Sequence, residues 1–167
     1  MKGSEIIQIK TGSIMLPSSA AEVGRSIRPI GKRIAAEAER WIDTPFHWQG
    51  QVRGVGCDCK GLVAGVARAC GRAEGNTLEA MAGDYATRVP IDKLRLGLER
   101  HFDRVSERQP GDILLVRMAG DPQHLAIAAP TECNPDRAIE AMPTGPKKVR
   151  PVRILPHRVA AIYRWRD

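Results

Sequence analysis

The fold of this chain is decided by one stretch of sequence, Gly56-Cys57-Asp58-Cys59-Lys60-Gly61-Leu62-Val63. Asp58 is a favourable N-cap residue, because its carboxylate can accept hydrogen bonds from the unpaired N–H groups of a first helical turn. The apolar residues that follow recur at helical spacing and predict one buried stripe: Leu62, Val63, Val66, Ala67 and Cys70. Cys59 therefore lies at the start of a helix, where the positive end of the helix dipole favours a thiolate over a thiol. A thiolate is a nucleophile, so the stretch predicts a reactive cysteine.

The first half of the chain is predicted to be helical. The pattern favours four helices: one from Pro29 to Ile42, the one that begins at Cys59, one capped by Asn76 or Thr77, and one after Pro90 that includes Phe102. Residues 1–25 have weak periodicity and are predicted to form a partly disordered N-terminal arm with a strand at Glu5 to Lys10. We expect a single domain over residues 26–167, which is long enough to bury a core.

The second half is predicted to form a sheet, because its apolar segments are separated by turns that contain Pro or Gly. The segments are Ile113 to Arg117, His124 to Ala129, Ala138 to Met142, Val149 to Leu155 and Val159 to Trp165. Helices first and consecutive strands after them indicate an α+β fold. In this fold, N-terminal helices pack on a C-terminal antiparallel sheet of about five strands, arranged as a meander.

A histidine and a glutamate are placed to act with Cys59. Cysteine nucleophiles commonly pair with a histidine that a third polar group orients. His124 opens a predicted strand, and its face also carries Ala126 and Ala128, which leave room for the Cys59 helix. Glu140 is polar among apolar residues of the next strand, and its carboxylate can accept a hydrogen bond from the second imidazole nitrogen. These three side chains form a chemically complete set.

Structural roles for the same residues stay open. A cysteine is often a small buried core residue, and Glu140 can be an edge charge that blocks aggregation. Cys57 is predicted to be a packed small residue, with a resolving thiol as the alternative. A zinc site would need Cys57, Cys59, Cys133 and a histidine, whereas structural zinc sites usually have paired ligands at both ends. The prediction therefore contains no metal and no organic cofactor.

The net charge predicts anionic partners. The chain carries 26 Lys and Arg against 19 Asp and Glu, a formal net charge of +7. Nucleic acid is not the expected partner, because aromatic residues make up only 4% of the chain and no recognition helix is evident. An anionic bacterial cell wall fits the charge equally well. No apolar run is long enough for a membrane span, and the N-terminus lacks the pattern of a secretory signal peptide.

Several blocks of the sequence resemble the NlpC-type (NlpC and p-sixty) cell-wall peptidases, which are papain-like enzymes that cleave bacterial peptidoglycan peptides. The resemblance spans roughly residues 35 to 165, and the blocks are Trp41 to Gly50, Cys57 to Val63, Pro110 to Leu115, His124 to Ile127 and Ile139 to Ala141. The doubled cysteine is similar to that of the phage and prophage tail-associated subgroup. By this resemblance Cys59 is the nucleophile, His124 is the base and Glu140 takes the orienting position.

The predicted substrate-binding and oxyanion residues are Trp48, Gln49, Asp58 and Lys60. Trp48 stands where many members have a tyrosine, and Gln49 is an alternative donor beside the backbone amide of Cys59. Lys60 stands where many relatives have a serine, which some use to recognise a free peptide amine. Because an ammonium group repels an amine, we expect Lys60 to pair with a substrate carboxylate, such as the α-carboxylate of a γ-linked glutamate.

The expected function is hydrolysis of amide bonds in peptidoglycan stem peptides through an acyl-enzyme, in a phage or prophage tail or lysis system. Because a signal peptide is not recognised, we expect cytoplasmic synthesis, association with phage tail proteins in a virion, and action at the cell wall. Two alternatives stay open. One is an amidase or transferase of the same fold that acts on another amide, and the other is a catalytically inactive wall-binding or tail-assembly module.

Overall fold

A computed structural model of the chain describes residues 29–82, 91–119 and 121–166, and the predicted α+β fold is confirmed. The helices within these residues are α1 (Pro29–Glu39), α2 (Cys59–Ala69), α3 (Glu74–Ala82) and α4 (Ile91–His101). None of these helices is long and apolar enough to cross a membrane. The predicted arm and its strand at Glu5 to Lys10 lie outside the described residues.

The end of α1 and the start of α3 differ from the prediction. α1 ends at Glu39 rather than at Ile42, because the N–H groups of the next residues donate to carbonyls three positions earlier and tighten the last turn. Asp43 then adopts a positive φ of 71° and ends the turn. α3 begins at Glu74, before the predicted cap at Asn76 or Thr77. Helix ends are where a local pattern is least decisive, since turn geometry competes with the helix there.

The sheet contains six antiparallel strands in the described part of the chain. They are β3 (Phe102–Val105), β4 (Ile113–Met118), β5 (Asp121–Ala128), β6 (Arg137–Ala141), β7 (Val149–Arg153) and β8 (Val159–Trp165), in the spatial order β3-β8-β4-β5-β6-β7. Two short strands, β1 (Gln51–Val52) and β2 (Gly56–Cys57), form a separate antiparallel hairpin before α2. This hairpin brings the chain to the start of that helix.

The predicted meander is correct for β4 to β7 and wrong for the last strand. β8 returns to the other side of β4 and also pairs with β3, a strand that the sequence analysis did not predict. Phe102, expected in a helix, begins β3 because its ring packs edge-on against Trp165, with ring centroids 5.0 Å apart. The sheet therefore has six strands rather than about five.

The helices pack on one face of the sheet and form the larger apolar core. The predicted stripe of α2 is confirmed, since all its members lie in this core: Leu62, Val63, Val66, Ala67 and Cys70. β5 contributes Leu125 and Ile127 to the same core, whereas Ala126 and Ala128 pack in a second cluster with Leu114. The prediction that the Cys59 helix covers the two alanines is therefore wrong.

Candidate active site

The start of α2 is held by the buried carboxylate of Asp58. Its Oδ1 accepts a hydrogen bond from the N–H of Gly61 at 2.7 Å, and its Oδ2 accepts one from the N–H of Gln49 at 2.9 Å. The predicted N-cap is confirmed. Because the side chain is almost fully buried, both hydrogen bonds are shielded from water and are correspondingly strong. One carboxylate thus fixes the helix start and the preceding loop together.

Two glycines allow this loop to lie directly against the helix. A Cβ on Gly61 would lie 1.8 Å from the carbonyl oxygen of Gly50, and a Cβ on Gly50 would lie 2.6 Å from that of Gly56. Both distances are far inside van der Waals contact, so a larger residue at either position would displace backbone atoms. The close approach fixes Cys59, the first residue of α2, relative to the loop.

The structure brings together Cys59, His124 and Glu140. His124 Nε2 lies 3.0 Å from Glu140 Oε2, and these residues are only 5% and 8% exposed. The side chain of Cys59 lies close enough to the His124 ring to raise the pKa of the imidazole. Since Nε2 is engaged by the carboxylate, Nδ1 is the ring nitrogen left to face the thiol. One imidazole therefore links a helix-start cysteine to a buried carboxylate.

Strand register explains why His124 and Glu140 meet. Glu140 on β6 lies directly opposite Ala126 on β5. Side chains two residues apart on a strand share a face, so His124 is the diagonal neighbour of Glu140 on that face. His124 lies two residues before the segment of β5 that pairs with β6, Ala126–Ala128.

A fourth residue of the cluster, Arg150, was not found from the sequence. Its Nη2 and Nε donate to Glu140 Oε1 at 3.1 and 3.3 Å. Arg150 lies on β7 directly opposite Glu140 on β6, so both side chains share a face. The sequence predicts the strand that contains Arg150. It does not predict that Arg150 lies opposite Glu140, because that depends on the register between β6 and β7.

The cluster holds its charges in spite of burial. Burial by itself lowers the pKa of His124, but hydrogen bonds to Cys59 and Glu140 outweigh it and raise the pKa to about 9. Burial likewise raises the pKa of Glu140, but His124 and then Arg150 outweigh burial and hold that pKa below its usual value. At neutral pH the two side chains therefore form an imidazolium–carboxylate pair.

The neighbouring cysteine, Cys57, is chemically different from Cys59. It is fully buried on β2, and burial, together with Asp58 and Cys59, raises the pKa of its thiol to about 12. The prediction of a packed small residue is confirmed. Among the described residues, no group of three or more His, Cys, Asp and Glu is placed to hold a metal ion. The alternative zinc site, which also needs the exposed Cys133, is therefore not formed.

The other predicted site residues differ in their exposure and in their contacts. Trp48 is 60% exposed and packs its ring edge-on against Phe46, with centroids 5.0 Å apart. Gln49 has an exposed side chain and a positive φ of 61°, and its backbone N–H is held by Asp58. Lys60, next to the thiol, is only 6% exposed. Their contacts with a substrate stay predictions.

Solved structures share this fold. The sequence matches no protein-family model and no curated protein. The NlpC/p60 domain of the peptidoglycan hydrolase SagA is 22% identical with a TM-score of 0.51, and the match covers 80% of this chain and 97% of that domain. NlpC2 from Trichomonas vaginalis is 16% identical with a TM-score of 0.57, over 84% of this chain and 49% of that protein.

The P60 domain of an M. avium subspecies paratuberculosis antigen is 14% identical with a TM-score of 0.53, over 81% of this chain and 93% of that domain. The chain therefore has the papain-like fold of NlpC/P60 domains, and the expected fold class is confirmed. At these identities the likeness establishes the fold, so any function must be argued from the site itself.

The pKa directions predict how stability depends on pH. The folded pKa of His124 is above its usual 6.5, so its contribution is complete below pH 6.5 and is lost as the pH rises through about 9. The folded pKa of Glu140 is below its usual 4.5, so its contribution is present above pH 4.5 and is lost as the pH falls through the folded value. The pair therefore stabilises the fold most between pH 4.5 and 6.5.

Urea unfolding at pH 5.5 and 8.5 checks this expectation. The free energy of unfolding should be lower at pH 8.5, and most of the decrease should disappear in His124→Gln. His157→Gln, which alters an exposed histidine, is the matched control and should retain the decrease. If the free energy of unfolding falls as much in His124→Gln as in the wild type, the decrease does not come from His124.

Proposed function

We propose that this chain is a cysteine hydrolase that cleaves amide bonds in the stem peptides of bacterial peptidoglycan. The observation that carries the proposal is the buried His124 ring, which is hydrogen-bonded to Glu140 and lies close enough to the Cys59 side chain for that side chain to raise the pKa of the imidazole. The fold supports the choice of substrate, because the SagA domain that shares it is described as a peptidoglycan hydrolase.

In the proposed reaction, the Cys59 sulfur attacks the carbonyl carbon of the scissile amide. His124 holds the proton that the Cys59 thiol has given up and donates it to the leaving amine, and water then hydrolyses the acyl-enzyme with His124 as the base. Glu140 fixes the orientation of the imidazole ring and stabilises the imidazolium through the bond to Nε2. No metal or organic cofactor takes part in this proposal.

The oxyanion that forms on the substrate needs a hydrogen-bond donor. The first N–H groups of a helix have no acceptor within the helix, and the Asp58 side chain takes the N–H of Gly61. We assign the backbone N–H of Cys59 as the principal donor, since it adjoins the nucleophile and lies at the positive end of the α2 dipole. Trp48 and Gln49 are the additional candidates on the loop.

Substitution of the nucleophile and the base tests the proposal. Cys59→Ala should abolish release of peptide fragments from purified peptidoglycan, and His124→Gln should lower the rate by roughly a hundredfold or more, measured by mass spectrometry. Cys57→Ala is the matched control, because it removes a thiol two positions away whose pKa of about 12 keeps it protonated. Lysis by Cys59→Ala at the wild-type rate would refute the proposal and favour an inactive binding module. Cleavage of other amides alone would favour the amidase alternative.

The proposed partner is the anionic cell wall, which the net charge of +7 favours. Within the site we assign the buried Lys60 to a substrate carboxylate near the scissile bond. Lys60→Ser should therefore increase kcat/KM for peptides with a free amine relative to amine-blocked peptides. Lys32→Ser, at an exposed position of α1, should leave that ratio unchanged. An unchanged ratio in Lys60→Ser would remove Lys60 from substrate recognition.

The proposed setting is a phage or prophage tail or a lysis system, with synthesis in the cytoplasm and action at the wall. It is supported by the doubled cysteine at Cys57 and Cys59, which resembles the tail-associated subgroup. Mass spectrometry of virions purified from the source of the gene should detect the chain. Its absence from virions that retain the other tail proteins would argue for the lysis route.

A further inference from the structure

Each oxygen of the Glu140 carboxylate has its own donor. Oε2 is engaged by His124 Nε2 at 3.0 Å, and Oε1 is engaged by the Nη2 and Nε of Arg150 at 3.1 and 3.3 Å. The guanidinium approaches from β7, opposite the strand that carries the imidazole. The carboxylate is therefore fixed between two cations in an orientation that presents Oε2 to the ring.

A carboxylate beside a catalytic imidazole can fail in three ways. It can rotate away from the ring, it can become protonated, or it can hold the imidazolium proton so strongly that transfer to the leaving group slows. A second cation on the far oxygen opposes all three, because it prevents rotation, favours the ionised carboxylate and withdraws part of its negative charge. Arg150 occupies that position.

We infer that Arg150 is a positioning residue that acts on His124 through Glu140, setting the orientation and the charge of the carboxylate. The inference rests on the proposed function, because it assigns a role within that reaction. The imidazolium of His124, the carboxylate of Glu140 and the guanidinium of Arg150 form a row of alternating charges. Removing the guanidinium leaves the negative charge on the Oε1 side of the carboxylate uncompensated.

Charged or titratable groups from neighbouring elements face both Glu140 and His124. Glu140 faces His124 on β5 and Arg150 on β7, and His124 faces Glu140 on β6 and Cys59 on α2. Without the guanidinium, the pKa of Glu140 should rise, and so should the pKa of His124 while Glu140 is ionised. The acid limb of the pH profile of kcat/KM, which reflects ionisation of Glu140, and the basic limb, which reflects loss of the His124 proton, should therefore both move to higher pH. Because 32% of the Arg150 side chain is exposed, solvent screens its charge, and we expect shifts of roughly half a unit.

The test compares Arg150→Met with Arg150→Lys and Arg153→Met. Arg150→Met should shift both limbs of the pH profile to higher pH and lower kcat. NMR titration of its His124 ring should give a higher pKa than in the wild type. Arg150→Lys should return both limbs of the pH profile to their wild-type pH values. It should recover kcat only in part, because an ammonium cannot reproduce the two-nitrogen contact with Oε1. Arg153→Met is the matched control on the same strand, since Arg153 pairs with Asp136 rather than with Glu140. It should behave as wild type.

A double substitution separates a role through Glu140 from direct substrate contact. In the Glu140→Gln background, Arg150→Met should have little further effect on the profile. A full additional effect there would overturn the inference and make Arg150 a substrate-contact residue. The NMR titration needs no turnover, so it decides even if Cys59→Ala shows that the proposed function is wrong. An unchanged His124 pKa in Arg150→Met would overturn the role of Arg150 alone.

Discussion

The buried carboxylate of Asp58 is the constraint on which the site depends. It accepts one backbone N–H from the first turn of α2 and one from the loop that precedes it. These two bonds leave the loop and the helix no freedom to move apart, and the contact between Gly50 and Gly61 leaves no space for them to move closer. The position of Cys59 follows from these two limits. The apolar stripe of α2 then packs the helix on the face of β5 that carries Leu125 and Ile127.

Burial alone would neutralise the side chains that this arrangement brings together. Desolvation disfavours both the imidazolium of His124 and the carboxylate of Glu140. They stay charged because each compensates the other, and because Arg150 adds a cation on the remaining oxygen of the carboxylate. A neutral side chain in the place of Glu140 would not need this cation. The carboxylate and the arginine are therefore best understood as one unit that supports the imidazole.

The parts of the structure that the sequence predicted are those with a local signal. Asp58 and the apolar stripe after it repeat at helical spacing, and His124 and Glu140 lie at recognisable strand positions. The parts that were missed depend on pairing between distant segments. Phe102 begins a strand only because Trp165 lies opposite it, and Arg150 reaches Glu140 only through the register of β6 and β7. The face of β5 that the helix covers was also misassigned, because alternation along a strand does not say which face turns to the helices.

Two cysteines two positions apart show how position decides chemistry. Cys57 ends a strand in the interior, where burial and the adjacent Asp58 carboxylate raise the pKa of its thiol to about 12. Cys59 begins a helix, is only partly buried and lies beside an imidazole that is itself held in the charged form. Asp58 lies between them: its charge disfavours a thiolate at Cys57, and its hydrogen bonds to the loop and to the first turn of α2 fix the position of Cys59. The change from strand to helix at Asp58 thus separates a packing residue from the proposed nucleophile.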